Sequence, residues 1–219
     1  MTKPKKRLIL IVAVVLALAV AAGSVAYTMK YFRYPRVAVK GETAMQIFTD
    51  CFEEANRRFG FSFEPYNPLE DSPELSVLCG ETTLETGEIL SLEFSTISIF
   101  LDCTVVVHDR TWDTWEEAYA FLQQRDLEQY TQVYDLVSYL SDGLYTGNSF
   151  KKTLGKMQKK IVQTFPENHE ITVSEDSTNY LSLYFPNVNS AYAWYEVWQD
   201  EETGKWTASF GVGIGLYAE

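Results

Sequence analysis

Apolar positions recur every three or four residues between positions 43 and 59, which is the spacing of one face of an α-helix. The members of that face are Ala44, Ile47, Phe48, Cys51, Phe52, Ala55 and Phe59. Thr43 and Gln46 have the spacing of a capping box at the start of this helix, and Gly60 is a typical residue for its end. The folded part of the chain is therefore predicted to begin with an amphipathic helix.

A second helical region is predicted over residues 111–143. Thr114 and Glu117 have the spacing of another capping box, and Gly143 suits the end of the region. Asp126 could start a new helix after a short break, so the region is expected to contain two helices.

A third helix is predicted from Asn148 or Ser149 to Phe165, with Pro166 ending it. Its apolar stripe consists of Leu154, Met157, Ile161 and Phe165. This spacing places the stripe on one face of the helix, and that face is expected to lie in the core.

Runs in which apolar and polar residues alternate are typical of β-strands. They occur at 61–66, 75–81, 88–109, 170–174, 180–186, 191–198 and 205–218. The alternation in 88–109 changes phase near Ser95 and Thr96, which predicts two strands or one bent strand. The polar residues 199–204 are expected to join the last two runs into a hairpin.

One face of the last predicted strand carries Gly211, Gly213 and Gly215. Three glycines on one face indicate that another group packs against bare backbone. A helix lying on the sheet is the expected neighbour, and a ligand channel is the alternative.

These elements predict an α+β fold in which an N-terminal transmembrane helix is followed by antiparallel sheet structure packed on one side by helices. A helix followed by about four strand-like runs occurs twice along the chain. The body, residues 42–219, is therefore expected to form one domain or two helix-plus-four-strand halves, 42–147 and 148–219.

Residues 8–27 are uncharged and strongly apolar. A helix of about 20 such residues can cross a hydrocarbon core of about 30 Å. The basic residues within 1–7 favour a cytoplasmic tail, which leaves 28–41 as a linker and places the body outside the cell membrane. The alternative is a signal peptide that is cleaved near Ala26 and releases a secreted body.

The body is strongly acidic, with ten of the 18 basic residues and all 30 acidic ones, a formal charge of −20. Such a charge argues against nucleic acid as a partner. Half of the ten basic residues lie in the third predicted helix: Lys151, Lys152, Lys156, Lys159 and Lys160. The last four share a side away from the apolar stripe. They are expected either to offset the negative charge locally or to contact an anionic membrane or wall polymer.

Cys51, Cys79 and Cys103 allow one disulfide, in three alternative pairings, in an oxidising compartment. The alternative is three buried thiols. The sequence contains no C-x-x-C motif, and we predict no metal site and no cofactor.

His108 and Asp109 are the catalytic candidates, because they stand together at the end of a predicted strand. With Cys79, Cys103 or an acid from elsewhere, His108 could act as the general base of a hydrolase. A surface histidine at a strand end is the alternative. His169 lies in a polar turn and is expected to be solvated.

Tyr192, Trp194 and Trp198 share a strand face, with Trp206 and Phe210 expected across from them. Such a face could stack against sugar rings or a partner's side chains, or it could be the core face of a sheet covered by helices.

The sequence therefore predicts a membrane-anchored, extracytoplasmic binding or interaction domain for a protein or an envelope polymer, with no catalysis evident. An extracytoplasmic hydrolase that uses His108 is one alternative. A structural component of a membrane complex is the other.

Overall fold

The computed structural model describes residues 12, 14–24, 41–69, 76–96, 101–143, 146–168, 180–184, 191–200 and 202–216. The helices of the body are α1 (Glu42–Phe59), α2 (Trp115–Gln124), α3 (Thr131–Leu140) and α4 (Gly147–Asn168), with a 3₁₀ turn at Leu127–Tyr130. Its strands are β1 (Val77–Thr83), β2 (Ile89–Ser95), β3 (Asp102–His108), β4 (Tyr180–Tyr184), β5 (Ala191–Gln199) and β6 (Trp206–Gly215). The predicted α+β class is confirmed.

Helix α1 begins at Gly41 and not through the predicted capping box. No side chain caps its N-terminus, and the Gly41 N–H donates to Ser76 Oγ at 3.0 Å. Gln46 does not reach back, because its amide donates to Asp50 Oδ1 at 2.7 Å. The end is as predicted: Gly60 has φ 72° and its N–H donates to Asn56 O, the left-handed stop that glycine adopts without strain.

The predicted strand at 61–66 is wrong. Phe61 and Phe63 are buried, so the alternation is real, but the backbone follows a loop. The Asn56 side chain takes the place of a strand partner, since its amide bonds both the N–H and the carbonyl of Phe63 at 2.9 and 3.0 Å. A single β-bridge joins Tyr66 to Cys79.

Local signals place most of the other helix ends. Thr114 caps α2 by accepting from the Glu117 N–H at 3.3 Å, and Asp126 caps the 3₁₀ turn. Gly143, with φ 69°, follows α3. The predicted stop before Pro166 is wrong, because α4 continues to Asn168; proline in a last turn removes only one N–H from the helix.

All six described strands form one antiparallel sheet in the order β1-β2-β3-β6-β5-β4. A helix followed by three strands occurs twice, as α1-β1-β2-β3 and as α4-β4-β5-β6. The last strand of each set pairs with the other at the centre, where Val105 lies opposite Val212. The central pairing thus joins residues that are about 100 positions apart in the sequence. The predicted run 170–174 lies outside the described residues.

Alternate residues of each central strand point into the core on the side where the helices lie. In β3 these are Cys103, Val105 and Val107, each at most 1% exposed. Helix α1 lies against β1, α4 against β5 and α2 against β6, with α3 between α1 and α4. We call the opposite side of the sheet the outer sheet face.

Residues 14–24 are helical, and their side chains are exposed. None of the helices within the described part of the chain combines the length and apolar character needed to span a bilayer. The remainder of the predicted anchor, apart from Val12, lies outside the described residues, so the anchor stays a prediction.

Candidate binding surfaces

His108 lies on the outer sheet face at the end of β3 and is half-buried. It shares a cavity of about 310 Å³ with Tyr66, Cys79 and Glu81. Burial lowers the pKa of His108, against the opposing attraction of nearby Glu81. The imidazole therefore favours its neutral form more than a solvated histidine does.

The structure does not assemble a Cys–His pair around His108. Cys103 points to the opposite side of the sheet, into the core. Cys79 is on the same side as His108 but lies far along the sheet from it. Cys79 of β1 pairs with Glu93 of β2, and Glu93 pairs with Thr104 of β3, which is four residues from His108. Strand spacing and rise place the two Cα atoms about 16 Å apart. Burial and then the charge of Glu93 raise the pKa of the Cys79 thiol to about 11, which keeps it protonated.

No disulfide joins Cys51, Cys79 and Cys103. Among the described residues, no three histidine, cysteine or acidic side chains are grouped closely enough to hold a metal ion.

Two acids of the outer sheet face accept hydrogen bonds from neutral side chains. Ser91 donates to Glu81 at 3.1 Å, and Ser209 donates to Glu196 at 2.7 Å. Glu93 is 3.9 Å from the Cys79 sulfur.

Aromatic side chains, and not a helix, cover Gly211 and Gly213 of β6. A Cβ on Gly213 would lie 2.7 Å from the Tyr192 ring, and one on Gly211 would lie 2.4 Å from the Trp194 ring. The expected helix over these glycines is therefore wrong. In β1, by contrast, a helix covers Gly80, where a Cβ would meet the Phe52 ring of α1 at 2.6 Å.

The aromatic face predicted from sequence is divided between the two sides of the sheet. Tyr192, Trp194 and Trp198 alternate onto the outer sheet face, where Tyr192 is 38% exposed and Trp194 is buried. Trp206 and Phe210 point to the helices. They pair with Gln199 and Tyr195, and paired residues of neighbouring strands share one face of the sheet. Trp206 packs edge-on against Phe165 of α4.

The sequence-predicted lysines form an exposed surface on α4, which we call the lysine face: Lys152, Lys156, Lys159 and Lys160. The predicted stripe beneath it, from Leu154 to Phe165, is buried as expected. At 100° per residue the centre of the lysine face is about 160° from the centre of the buried stripe. The four side chains thus point away from the sheet, and α4 carries no acidic residue before Glu167.

Each of the six other cations of the body contacts another side chain of the body. Arg57 and Arg58 both bond Glu54, Lys151 bonds Glu128, and Lys205 lies 3.5 Å from Asp113. Arg110 stacks on Phe121 at 5.8 Å, and Arg125 is fully buried in an ion cluster. The four residues of the lysine face form no salt bridge with any residue that the structure describes.

That ion cluster lies on the helix side of the sheet and was not foreseen from the sequence, although Asp109 was. Arg125 donates from Nη1 to Asp109 at 2.8 Å and to Tyr195 at 3.0 Å. It donates from Nη2 to Glu88 at 2.9 Å and to Asp109 at 2.5 Å. Its Nε donates to Tyr130 at 2.8 Å. All five guanidinium donors are therefore used.

The two carboxyl groups of the cluster titrate in opposite directions. Burial raises the pKa of Asp109 well above its usual value despite the attraction of Arg125. Burial also opposes ionisation of Glu88, but hydrogen bonds from Asp109 and the charge of Arg125 outweigh it and lower the pKa of Glu88. One cation thus balances one carboxylate, and the second acid retains its proton more readily.

His108 and Asp109 are adjacent in sequence but act on opposite sides of the sheet. Asp109 is in the ion cluster, whereas His108 is on the outer sheet face. Two signals marked the cluster in the sequence: an acid directly after an apolar strand, and Arg125 at the break between α2 and the 3₁₀ turn. His169 lies outside the described residues.

Comparison with protein-family models, with curated proteins and with solved structures finds no match to this chain.

Proposed function

We propose that this chain is a membrane-anchored, extracytoplasmic interaction domain that binds a protein or an envelope polymer through anionic groups on that partner. The observation that carries the proposal is the lysine face. An acidic body of charge −20 would be expected to neutralise each cation internally, and it does so for Arg57, Arg58, Lys151 and Lys205. The lysine face instead points into solvent, where an external anion can reach it.

The membrane anchor is part of the same proposal. The uncharged run 8–27 and the basic residues before it support a tail on the cytoplasmic side and a body outside. Protease added to intact cells or spheroplasts is expected to degrade residues 42–219. Protection of the body would contradict the topology, and a mature N-terminus near Tyr27 would show a cleaved signal peptide instead.

The binding role is tested by capture from intact membranes with chemical crosslinking. A variant with the four residues of the lysine face changed to glutamine should lose its crosslinked partners. The matched control changes Arg57, Arg58, Arg110 and Lys205 to glutamine, which removes the same charge from other surfaces. Partners retained by the first variant, or lost equally from both, would contradict the assignment of binding to the lysine face.

A further inference from the structure

The structure makes the lysine face the outermost surface of the helix layer. Helix α4 lies between α3 and α2, and its lysines point directly away from the sheet. The exposed positions beside them on the same arc are Asn148, Ser149 and Gln163, which are uncharged. The surface is therefore basic and polar, with no exposed apolar side chain that would insert into a hydrocarbon core.

From this geometry we infer that the lysine face docks the body flat on the anionic lipid headgroups of the membrane that holds its anchor. The inference rests on the proposed function, because the anchor brings the body to that surface, and it assigns to lipid phosphates the contact that the proposed function gives to anionic groups on a protein or polymer. Lipid phosphates complement the four lysines, whereas the acidic remainder of the body is repelled by the same surface. The charge distribution thus selects one orientation.

The linker permits this orientation. Fourteen residues, 28–41, extend to at most about 50 Å. A compact body of this size has a radius of gyration of about 16 Å. Fully extended, the linker is therefore longer than the roughly 40 Å diameter that this radius of gyration implies, which lets the body turn α4 toward the lipid.

Docking through α4 has a consequence for the outer sheet face. Because the helices and the outer sheet face are on opposite sides of the sheet, α4 on the lipid turns the cavity with His108, Glu81 and Tyr66 away from the membrane. That cavity is then presented to the exterior and not to the bilayer.

The strength of docking follows from the number of lysines. An anionic bilayer improves the binding of each lysine near its surface roughly fivefold, so four lysines give roughly 10³-fold. Because the attraction is electrostatic, 1 M salt, with a screening length of about 3 Å, should abolish it.

The experiment uses the full chain reconstituted in vesicles, with a recognition sequence for a specific protease inserted within residues 28–41. After the protease cuts the linker, the body is expected to stay with phosphatidylglycerol-containing vesicles and to leave phosphatidylcholine vesicles. The variant with four glutamines on the lysine face should be released from both. The control with glutamine at Arg57, Arg58, Arg110 and Lys205 should behave as the unmodified chain does.

A second measurement needs no substitution. A membrane-impermeant acylating reagent should modify the lysine face several-fold more slowly on anionic than on neutral vesicles, with Lys205 as the internal reference. Equal modification in both lipids would overturn the docking.

The remaining outcomes separate the two proposals. A chain that does not enter vesicles of either lipid, before any cleavage, would contradict the anchor alone. A body that is released from anionic vesicles would contradict the docking and leave the anchor intact. Binding of the body to soluble polyphosphate, without binding to anionic vesicles, would assign the lysine face to an anionic polymer and overturn the lipid proposal.

Discussion

The buried ion cluster gives the sharpest prediction, through Arg125→Met. Methionine fills much of the volume of the arginine stem, so the change mainly removes charge and five hydrogen bonds. The acids Glu88 and Asp109 remain, with side chains 6% and 0% exposed. The hydroxyls of Tyr130 and Tyr195 also lose a donor.

The expected loss is large because both carboxyl groups stay buried without their cation. Breaking a buried ion pair by removing one partner destabilises a protein by about 3–5 kcal/mol. The whole free energy of unfolding of a domain is about 5–15 kcal/mol. For a chain of this size the loss corresponds to a fall in melting temperature of about 6–20 °C.

The loss should depend on pH with a definite sign. Without Arg125, the folded-state pKa values of Glu88 and Asp109 rise above those of the unfolded chain. The folded variant then binds more protons than the unfolded one, so its stability falls as pH rises through those values. The deficit relative to the unmodified chain should be greatest near neutral pH and should shrink in acid.

Urea unfolding, followed by circular dichroism at pH 7.5 and pH 5, measures this directly. The matched control is the triple variant Arg125→Met, Glu88→Gln, Asp109→Asn, which removes the uncompensated charge and should recover much of the stability. A single variant as stable as the unmodified chain would refute the reasoning. A triple variant as unstable as the single one, with no effect of pH, would show that packing and not charge was lost.

Three further predictions concern single positions. Gly213→Ala should destabilise the fold by about 1–3 kcal/mol, because a Cβ would meet the Tyr192 ring at 2.7 Å; the loss should disappear in a Tyr192→Ala background. The control is Gly155→Ala, where the atom nearest to the added Cβ is 3.9 Å away. It should stabilise α4 by about 0.5–1 kcal/mol. Equal changes in stability at both glycines would contradict the packing argument. Thr114→Ala should lower stability by about 1 kcal/mol, measured by the urea midpoint, because it removes the α2 cap; an unchanged midpoint would show that the cap contributes nothing. Burial lowers the pKa of His108 in the folded state, so the unmodified chain should lose stability as pH falls below the ordinary histidine value, and His108→Gln should weaken that dependence. An identical pH profile for the two proteins would count against it.

The local spacing of residues determined much of the helical architecture. The stripe of α4 and the lysine face follow from a period of 3.6 residues, because both faces are set within one helix. Gly60 and Gly143 mark helix ends for a similarly local reason, since each takes the left-handed conformation that glycine adopts without strain. Thr114 caps α2 through a bond that spans three residues.

The alternation of apolar and polar residues did not predict the backbone correctly where a side chain supplied the hydrogen bonds of a strand partner. Phe61 and Phe63 alternate as strand residues do, but Asn56 satisfies the backbone of Phe63, and no partner strand is needed. The spacing also predicted that something covers Gly213. It could not show that the cover is Tyr192 on the next strand, because the ladder partner is set by register and not by sequence distance.

Tertiary structure alone decided how the two sets of strands combine and where the buried charges meet. Pairing β3 with β6 joins both sets in one sheet, and no signal within either strand specifies that partner. The same pairing places Asp109 near Arg125 and Tyr195, and the β1–β2 hairpin adds Glu88. The sequence marks Asp109 as an acid directly after an apolar strand and Arg125 as a cation at a helix break. It does not show their energies, because burial and partners exist only when distant segments have been brought together.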